Sequence, residues 1–173
     1  MVASLLCARE WLAGGSCIVV YGDVVFAAEH VVRLAASRHA VAIACDLEWR
    51  RLWEARFERP EEDAESCRLE GDRVVEIGAR LRRLEDAEAQ YTGLVKITPD
   101  GLGEILDLLA RFDASSVDRL DTTALLAARI AAGAPVGAVC VRGRWCEVDR
   151  RTDLALYERK LARPGRWSHD WRA

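Results

Sequence analysis

The chain has 173 residues, about half of them hydrophobic, which suffices for one compact domain with a sizeable core but not for a second full domain. Twenty-five basic and twenty-eight acidic side chains give a formal charge of −3, a balance that argues against a general nucleic-acid or anionic-membrane surface. No apolar stretch is long enough for a signal peptide or a membrane span, and no two of the six cysteines form a C-x-x-C pair. We therefore expect buried free thiols in a reducing cytoplasm.

The first part of the chain alternates helical and strand-like segments. The patterns predict a helix at Ser4–Leu12, a strand at Cys17–Tyr21, a helix at Ala28–Ser37 and a strand at Val41–Cys45. Two continuous apolar strands joined by a helix are typical of a parallel βαβ unit whose sheet is covered on both faces. Asp23 and Asp46 follow these strands, so we expect both carboxylates at strand C-terminal ends.

The rest of the chain continues the mixed pattern. It predicts a surface helix at 47–57, a charged loop at 60–65, a hairpin at 66–78, a strand at 89–97, helices at 98–112 and Val117–Ala132, strands at 136–141 and 145–149, and a helix at Thr152–Leu161. Residues 163–173 read as an irregular tail. The predicted fold is one α/β domain over 1–173, with a Rossmann-like mixed, mostly parallel sheet flanked by helices.

Asp23 is the first candidate for chemistry. In open α/β sheets ligands bind beyond the carboxyl ends of the strands, and a carboxylate there can hold Mg²⁺, which prefers one or two carboxylates with waters and substrate phosphates. The alternative interpretation is that Asp23 caps a turn or a helix start. Position alone leaves both interpretations open.

Asp46 is a second candidate, because with Glu48 it resembles the D-x-D pairs by which GT-A glycosyltransferases hold a metal-bound nucleotide sugar. A single D-x-E is a weak signal. The alternative is a strand-end aspartate that caps the following helix.

Five stretches of the chain carry a wider resemblance. "VVYGDVVF", "ACDLEWRRLWEARFERPEEDAE", "VVEIGARL", "YTGLVKI" and "RWCEVDRRTDLALYERKL", in this order, are similar to elements of the nucleotidylyltransferase family, in the branch of phosphocholine and 2-aminoethylphosphonate cytidylyltransferases. The matching segments run from about Ser4 to Leu161. The resemblance implies the nucleotide-diphospho-sugar transferase type of fold.

The resemblance also implies an activity. An oxygen of an acceptor phosphate or phosphonate would attack the α-phosphate of a nucleoside triphosphate, with CTP favoured, and pyrophosphate would leave. By motif, Asp23 and Asp149 would hold Mg²⁺ between the phosphates, and positioning with charge neutralisation would supply most of the catalysis. Further substrate contacts are expected from Tyr21, Gly22, Asp63, Glu65, Lys96, Trp145 and Glu147.

Some of these contacts have a specific chemical reason and a plain alternative. The family position of Asp63 and Glu65 would place them near the acceptor, where they suit a cationic choline or ammonium group, although a charged loop is usually a solvated turn. Lys96 could reach a phosphate or be a surface lysine at a strand end. Three tryptophans in or beside the matched motifs could form an aromatic cage for a quaternary ammonium or belong to the core: Trp49, Trp53 and Trp145.

The chain also departs from the family pattern. Members of the family open with a strand and a glycine-rich loop that carries an arginine, followed by a lysine near a proline, and this sequence has no such segment ahead of Ser4. Ala79 stands where the family usually has lysine in its "IGK" element. We therefore expect an N-terminally truncated relative whose Cys17–Tyr21 strand has an exposed edge. The alternative to an active enzyme is a non-catalytic relative that assembles through this edge with another copy or another chain.

Overall fold

The structure, a computed structural model, describes residues 1–162 and 167–172. Eight α-helices lie in the described part: α1 Val2–Cys7, α2 Arg9–Gly14, α3 Ala28–Ala35, α4 Trp49–Arg56, α5 Pro99–Leu109, α6 Ala114–Arg119, α7 Thr122–Ala131 and α8 Arg151–Leu161. The strands there are β1 Cys17–Val20, β2 Val24–Phe26, β3 Val41–Asp46, β4 Glu65–Glu70, β5 Arg73–Arg80, β6 Gln90–Ile97, β7 Val136–Val141 and β8 Trp145–Glu147. None of these helices combines the length and apolar character needed to cross a membrane.

Six of the strands form one mixed sheet in the order β1-β6-β3-β7-β5-β4. The α/β class with a mixed sheet flanked by helices is confirmed, but the prediction of a mostly parallel sheet is wrong. Within the described residues only β3 and β7 pair in parallel, and the other four pairs are antiparallel. β1 and β3 do run in the same direction, but β6 lies between them and pairs with both. A central strand that is covered on both faces has a continuous apolar sequence whether its neighbours are parallel or antiparallel, so the sequence pattern does not determine the direction of pairing.

The core is built around β3, whose six residues are all buried. Alternate side chains face opposite sides of a strand. Val41, Ile43 and Cys45 pack in a cluster with residues of α1, α2, α5 and α7. Ala42 and Ala44 pack on the other face, against Leu34 of α3. The small alanine side chains allow α3 to lie close to the sheet.

Two predicted helices are each divided in the structure. The segment at Ser4–Leu12 covers the end of α1 and most of α2, which meet at Ala8. The segment at Val117–Ala132 overlaps the end of α6 and contains α7, because Asp121 leaves the helical conformation and caps α7 by accepting a hydrogen bond from the Ala124 N–H at 2.7 Å. An aspartate N-cap satisfies a donor that the new helix leaves free, so it favours a fresh helix start.

The ribbon of β2 and β8 lies outside the six-stranded sheet, and the sequence patterns did not predict β2 as a separate strand. Its register pairs Val24 with Glu147 and Phe26 with Trp145. The pairing continues beyond β2, where the Val148 N–H donates to the Asp23 carbonyl at 2.9 Å. This ribbon therefore connects the two motifs that were expected to contain the metal ligands.

The chain after α8 packs back onto the β7–β8 turn. Residues 167–172 form turns only, in agreement with the predicted irregular tail, whereas 163–166 and 173 lie outside the described residues. His169 and Asp170 are nevertheless buried. The Arg144 N–H donates to the Ser168 carbonyl at 2.8 Å, and this carbonyl oxygen lies 2.1 Å from the position that a Cβ on Gly143 would occupy. Gly143 also has φ +56°, so this turn requires glycine for two reasons.

Replacement of this glycine should destabilise the protein more than replacement of another left-handed glycine. Gly133, at φ +79°, has open space around its Cβ position, so Gly133→Ala should cost only the backbone strain of about 1–2 kcal/mol. Gly143→Ala adds the clash with Ser168 and should cost at least about 1 kcal/mol more. Urea unfolding of both variants measures the difference. Equal losses would show that the tail does not pack tightly on this turn.

Candidate functional site

The first part of the candidate site is the open end of the β2–β8 ribbon. Asp23 immediately precedes β2, and Asp149 follows Val148, whose N–H binds the Asp23 carbonyl. The two predicted metal ligands, about 126 positions apart in sequence, are thus brought to the same end of one ribbon by antiparallel pairing. Asp23 is exposed, and its carboxylate has no hydrogen-bond partner among the described residues.

Arg56, the last residue of α4, holds the carboxylates on one side of this ribbon end. Its side chain is fully buried and forms ion pairs with Glu147, Asp149 and Asp153. The Nη2–Oδ2 distance is 2.6 Å to Asp149 and 3.1 Å to Asp153. Three carboxylates around one buried guanidinium fix the orientation of Asp149, because an arginine presents several donors in a rigid plane.

The charges of this cluster shift one another's pKa values. Burial alone would raise the pKa of Asp153, but the hydrogen bonds and charge of Arg56 outweigh it and hold that pKa below its usual value. Burial raises the pKa of Glu147, although the charge of Arg56 opposes this effect. Burial would also lower the pKa of Arg56, yet its carboxylate partners raise it above the ordinary arginine value. Arg56 therefore stays charged at any pH at which the protein is folded.

Sequence reasoning missed Arg56. Its partners stand 91, 93 and 97 residues further along the chain, so no local spacing links them. The one local signal is the "WEARF" segment, in which Trp53 and Phe57 flank Arg56 and stack on it with guanidinium-to-centroid distances of 5.5 Å and 4.8 Å. An arginine between two aromatic residues on an amphipathic helix is a poor predictor of such a role without the fold.

The donor set at the ribbon end suits a hard divalent cation. Asp23 has both carboxylate oxygens available, and Asp149 uses Oδ2 for Arg56 while its side chain remains 46% exposed. In the described residues, no group of three histidine, cysteine, aspartate or glutamate side chains is arranged to enclose a metal ion. Two carboxylates without a closed cage are the arrangement by which Mg²⁺ is held together with waters and substrate phosphates.

A second part of the site is a group of carboxylates near Tyr21. The ring of Tyr21 packs edge-on against Tyr91 with 5.7 Å between centroids, and Gly93 leaves room for it, since a Cβ there would lie 3.0 Å from the Tyr21 ring. Burial raises the pKa of Tyr21, and the carboxylates of Asp121 and Glu65 add to this shift. Asp121 was not among the predicted site residues, because its capping role in α7 conceals its position next to Tyr21.

The carboxylates of this group also act on one another. Burial raises the pKa of Glu65, and the neighbouring charges of Asp121 and Asp63 raise it further. Asp63 accepts a hydrogen bond from Trp53 Nε1 at 3.1 Å, and its charge also contributes to the raised pKa of Glu147. The structure thus brings the predicted acceptor residues Asp63 and Glu65 together with Tyr21 and connects them to the ribbon end. Such a concentration of carboxylates favours a positively charged group.

Two of the remaining predicted contacts flank the ribbon. Gly22 is exposed between Tyr21 and Asp23, with no atom within 4 Å of its Cβ position. Glu147 faces Arg56 and accepts a hydrogen bond at its carbonyl from Tyr157 at 2.7 Å. Glu147 therefore positions Arg56 rather than presenting a free carboxylate to solvent.

The three tryptophans of the proposed aromatic cage lie in the core. Trp145 is fully buried, its ring centroid lies 6.1 Å from that of Trp53, and Trp53 packs edge-on against Trp49. None of the three rings offers an open face to a ligand. Their burial agrees with the core interpretation and leaves Trp145 outside the set of substrate contacts.

Lys96 also lies away from the ribbon end. It pairs with Ile18 of β1 and Ala42 of β3, near the N-terminal ends of these strands. The ribbon end lies beyond their C-terminal ends, on the opposite side of the sheet. The ammonium group of Lys96 is buried and donates to the carbonyl of Ser37. The antiparallel direction of β6 explains this position, because its C-terminal end lies beside the start of β1.

Asp46 is a buried structural residue, and its interpretation as part of a metal-binding pair is wrong. Its carboxylate accepts hydrogen bonds from four groups that leave no oxygen open to a cation. They are the backbone N–H of Glu48 at 2.9 Å, that of Gly143 at 2.8 Å, Trp145 Nε1 at 2.9 Å and His169 Nε2 at 3.0 Å. The carboxylate of Glu48 instead pairs with Arg51 at 3.1 Å. Asp46 therefore closes the turn after β3 and anchors the tail, but it does not cap the following helix, because the N-cap of α4 is Glu48 and no side chain caps it.

Comparisons with known proteins give one curated relative and several solved structures of similar fold. No family profile matches the chain. The chain is 30% identical over 167 residues to a CTP:phosphoglutamine cytidylyltransferase of Campylobacter jejuni, in an alignment that covers 90% of this chain and 66% of that protein.

The solved structures share the fold at low sequence identity. A Bacillus anthracis chain assigned as a glucose-1-phosphate thymidylyltransferase matches with a TM-score of 0.67 at 12% identity, over 99% of this chain and 64% of its own length. The inositol-1-phosphate CTP transferase of T. maritima matches with a TM-score of 0.64 at 16% identity, over 94% and 62%. The chain therefore spans somewhat less than two thirds of the length of these proteins.

The buried carboxylate of Asp46 should make the free energy of unfolding depend on pH. Burial opposes ionisation, but its four donors, His169 first, hold the pKa of Asp46 below the ordinary 3.8. A lowered folded-state pKa contributes stability that is complete above about pH 5 and is lost as the pH falls through that lowered value.

We expect Asp46→Asn to cost about 3 kcal/mol at neutral pH, because the new amide N–H atoms would face the Trp145 and His169 donors. The gap between wild type and variant should narrow from pH 5 to pH 3, as measured by urea unfolding at each pH. Asp118→Asn, at an exposed position without a hydrogen-bond partner in the described residues, is the control. A gap that stays constant down to pH 3 would contradict the assignment.

Proposed function

The chain belongs to the nucleotidylyltransferase family, and within that family we propose that it transfers a nucleoside monophosphate, with CMP as the first candidate, from a triphosphate to a small phosphorylated acceptor, releasing pyrophosphate. The observation that carries this proposal is the ribbon pairing that brings Asp23 and Asp149 to one end of β2 and β8. Among the nucleoside triphosphates, CTP is the first candidate donor because the curated relative is named as a CTP-dependent cytidylyltransferase.

In this proposal Asp23 and Asp149 hold Mg²⁺ at the ribbon end. The ion would supply charge neutralisation for the triphosphate, which phosphoryl-type transfer needs more than covalent help. The protein's own part is positioning. Arg56 fixes Asp149 through the 2.6 Å ion pair, and Asp153 fixes the backbone beside it by accepting from the Asp149 N–H at 3.1 Å. The support of a ligand by buried neighbours is a general requirement of metal sites.

The carboxylates near Tyr21 support an acceptor that carries a positive charge. Asp63 and Asp121 lie close enough to Glu65 to raise its pKa, and none of the three carboxylates has an ion-pair partner among the described residues. A cationic group bound there would relieve this repulsion and could contact the ring face. Phosphocholine and an aminoalkyl phosphonate have such a group. So does phosphoglutamine, the compound that appears in the name of the curated relative. A plain sugar phosphate does not.

A second candidate function is assembly of two copies through the edge of the sheet. β1 is the terminal strand, it pairs only with β6 among the described residues, and its four residues carry no charge. Val20 is 36% exposed and Trp11, on the helix before β1, is 80% exposed. Short uncharged apolar edges are ready to pair with another strand, and two copies of the same edge are self-complementary. We propose a second copy of this chain as the occupant.

The nucleotide proposal predicts a magnesium-dependent stabilisation that requires Asp23. A ligand at a hundred times its dissociation constant stabilises the folded state by about 2.7 kcal/mol, or about 5–10 °C for a chain of this size. We expect such a shift with Mg²⁺ and CTP for wild type and a loss of the shift in Asp23→Asn. The unliganded melting temperature should not change, since the Asp23 side chain is exposed.

The matched control is Asp107→Asn, an exposed aspartate on α5 near the opposite edge of the sheet, which should keep the full shift. Thermal unfolding against CTP, UTP, ATP and GTP identifies the base, and pyrophosphate release in the presence of phosphocholine tests turnover. An unchanged CTP shift in Asp23→Asn would contradict the role of Asp23.

The assembly proposal predicts a dimer in sedimentation velocity. Val20→Lys places a charge on the free edge of β1 and should return the protein to a monomer, because a lysine on an edge strand blocks pairing. Leu154→Lys, at an apolar position on α8 that is also exposed, should leave the dimer intact. A wild-type chain that sediments as a monomer at all concentrations would rule out this assembly.

A further inference from the structure

A cavity of about 490 Å³ opens beside the ribbon end and is lined in part by Arg56, Arg59 and Arg150. Arg150 follows the proposed metal ligand Asp149 directly, and Arg56 binds Asp149, so the cavity adjoins the site where transfer is proposed. Its volume is within the range of small-molecule sites. Sequence analysis did not single out any of these arginines.

The three arginines differ in how their charges are balanced. Arg56 is surrounded by three carboxylates, and Arg59 pairs with Glu62 at 2.7 Å and with Glu61 at 3.6 Å. Arg150 has no ion-pair partner within the described residues. It is therefore the cation of this cavity whose charge is available for a ligand.

The Arg150 side chain is oriented despite its lack of a carboxylate partner. Its guanidinium lies 4.8 Å from the centroid of the Phe57 ring, the same distance as that of Arg56 from the same ring. Stacking on an aromatic ring limits the orientations of a guanidinium and leaves its N–H edge free to bind. The backbone is also fixed, since one oxygen of Asp153 accepts from the N–H of Arg150 at 3.0 Å and from that of Asp149 at 3.1 Å.

The other donors near Arg150 suit a phosphate. Arg150 is the N-cap of α8, an eleven-residue helix, and Thr152 in its first turn also lines the cavity. A helix start attracts anions, and a guanidinium can bind two phosphate oxygens at once. Carboxylates line the same cavity, however, notably Asp63 and Glu62. A simple dianion would be repelled by them, whereas a phosphate joined to a cationic group matches both charges.

We infer that Arg150 binds the phosphate of a zwitterionic acceptor in this cavity, with the cationic end of the acceptor directed toward Asp63. This inference rests on the proposed transfer function and adds to it the residue that positions the acceptor phosphate. In the transfer step an acceptor phosphate oxygen forms a bond to the α-phosphorus of the triphosphate. The bond from that phosphorus to the bridging oxygen breaks, and pyrophosphate leaves with the electron pair. Arg150 positions the attacking phosphate beside Asp149.

The test is binding of the acceptor alone, by isothermal titration calorimetry without nucleotide or Mg²⁺, using phosphocholine, inorganic phosphate and choline as probes. For wild type we expect phosphocholine to bind more tightly than either fragment. Arg150→Gln should weaken phosphocholine binding by about 10- to 100-fold, because it removes a charge-assisted contact, and should leave choline binding unchanged. The matched control is Arg151→Gln, the adjacent exposed arginine, which should bind all three probes as wild type does.

Each other outcome has a definite meaning. An equal loss in Arg150→Gln and Arg151→Gln would show general charge attraction and overturn the inference, as would no binding of phosphocholine to wild type. Phosphocholine binding that is lost in Arg150→Gln, together with no CMP transfer by the wild-type protein, would support the inference and contradict the proposed function. Transfer by Arg150→Gln at an unchanged KM for phosphocholine would keep the function and overturn the inference. Melting temperatures within about one degree of one another would confirm that the variants are folded.

Discussion

The buried guanidinium of Arg56 is the interaction on which the candidate site depends. It joins three elements that are distant in sequence, since its ion pairs connect α4 with Glu147 of β8 and with Asp149 and Asp153 at the start of α8. A buried charge of this kind is tolerated because carboxylates surround it, and removal of Arg56 would leave three neighbouring carboxylates without their counter-charge. The same contacts that stabilise the packing of α4 on α8 therefore set the direction of Asp149.

The acidic residues around this guanidinium fall into groups with different roles. Asp153 and Glu147 are occupied by Arg56 and by backbone contacts, whereas Asp23 has free oxygens and Asp149 keeps part of its surface exposed. On the other side, Asp63, Glu65 and Asp121 repel one another beside Tyr21. The carboxylates at the ribbon end are thus partly balanced by Arg56, whereas Asp63, Glu65 and Asp121 have no ion-pair partner among the described residues.

Asp23 and Asp46 show how far similar local patterns can diverge. Asp23 comes shortly after β1 and Asp46 is the last residue of β3, two strands that run in the same direction, and both aspartates were candidates for metal binding. Asp46 is enclosed by four donors because the β7–β8 turn and the tail fold over it, whereas Asp23 lies on a ribbon that leaves the sheet and reaches solvent. The donors that decide the difference stand about a hundred residues away, so the sequence near each aspartate carries no information about them.

The sequence by itself determined the α/β class, most strand and helix positions, the hairpin of β4 and β5, and the family resemblance, because hydrophobic periodicity and short motifs are local properties. Only the tertiary structure decided that β6 lies between β1 and β3 and that Lys96 lies near the N-terminal ends of those two strands, away from the candidate site. It also decided that Trp145 belongs to the core, and it revealed the roles of Arg56 and Asp121. These features depend on contacts between residues far apart in the chain, where the direction of a strand or the burial of a charge is set by its neighbours in space.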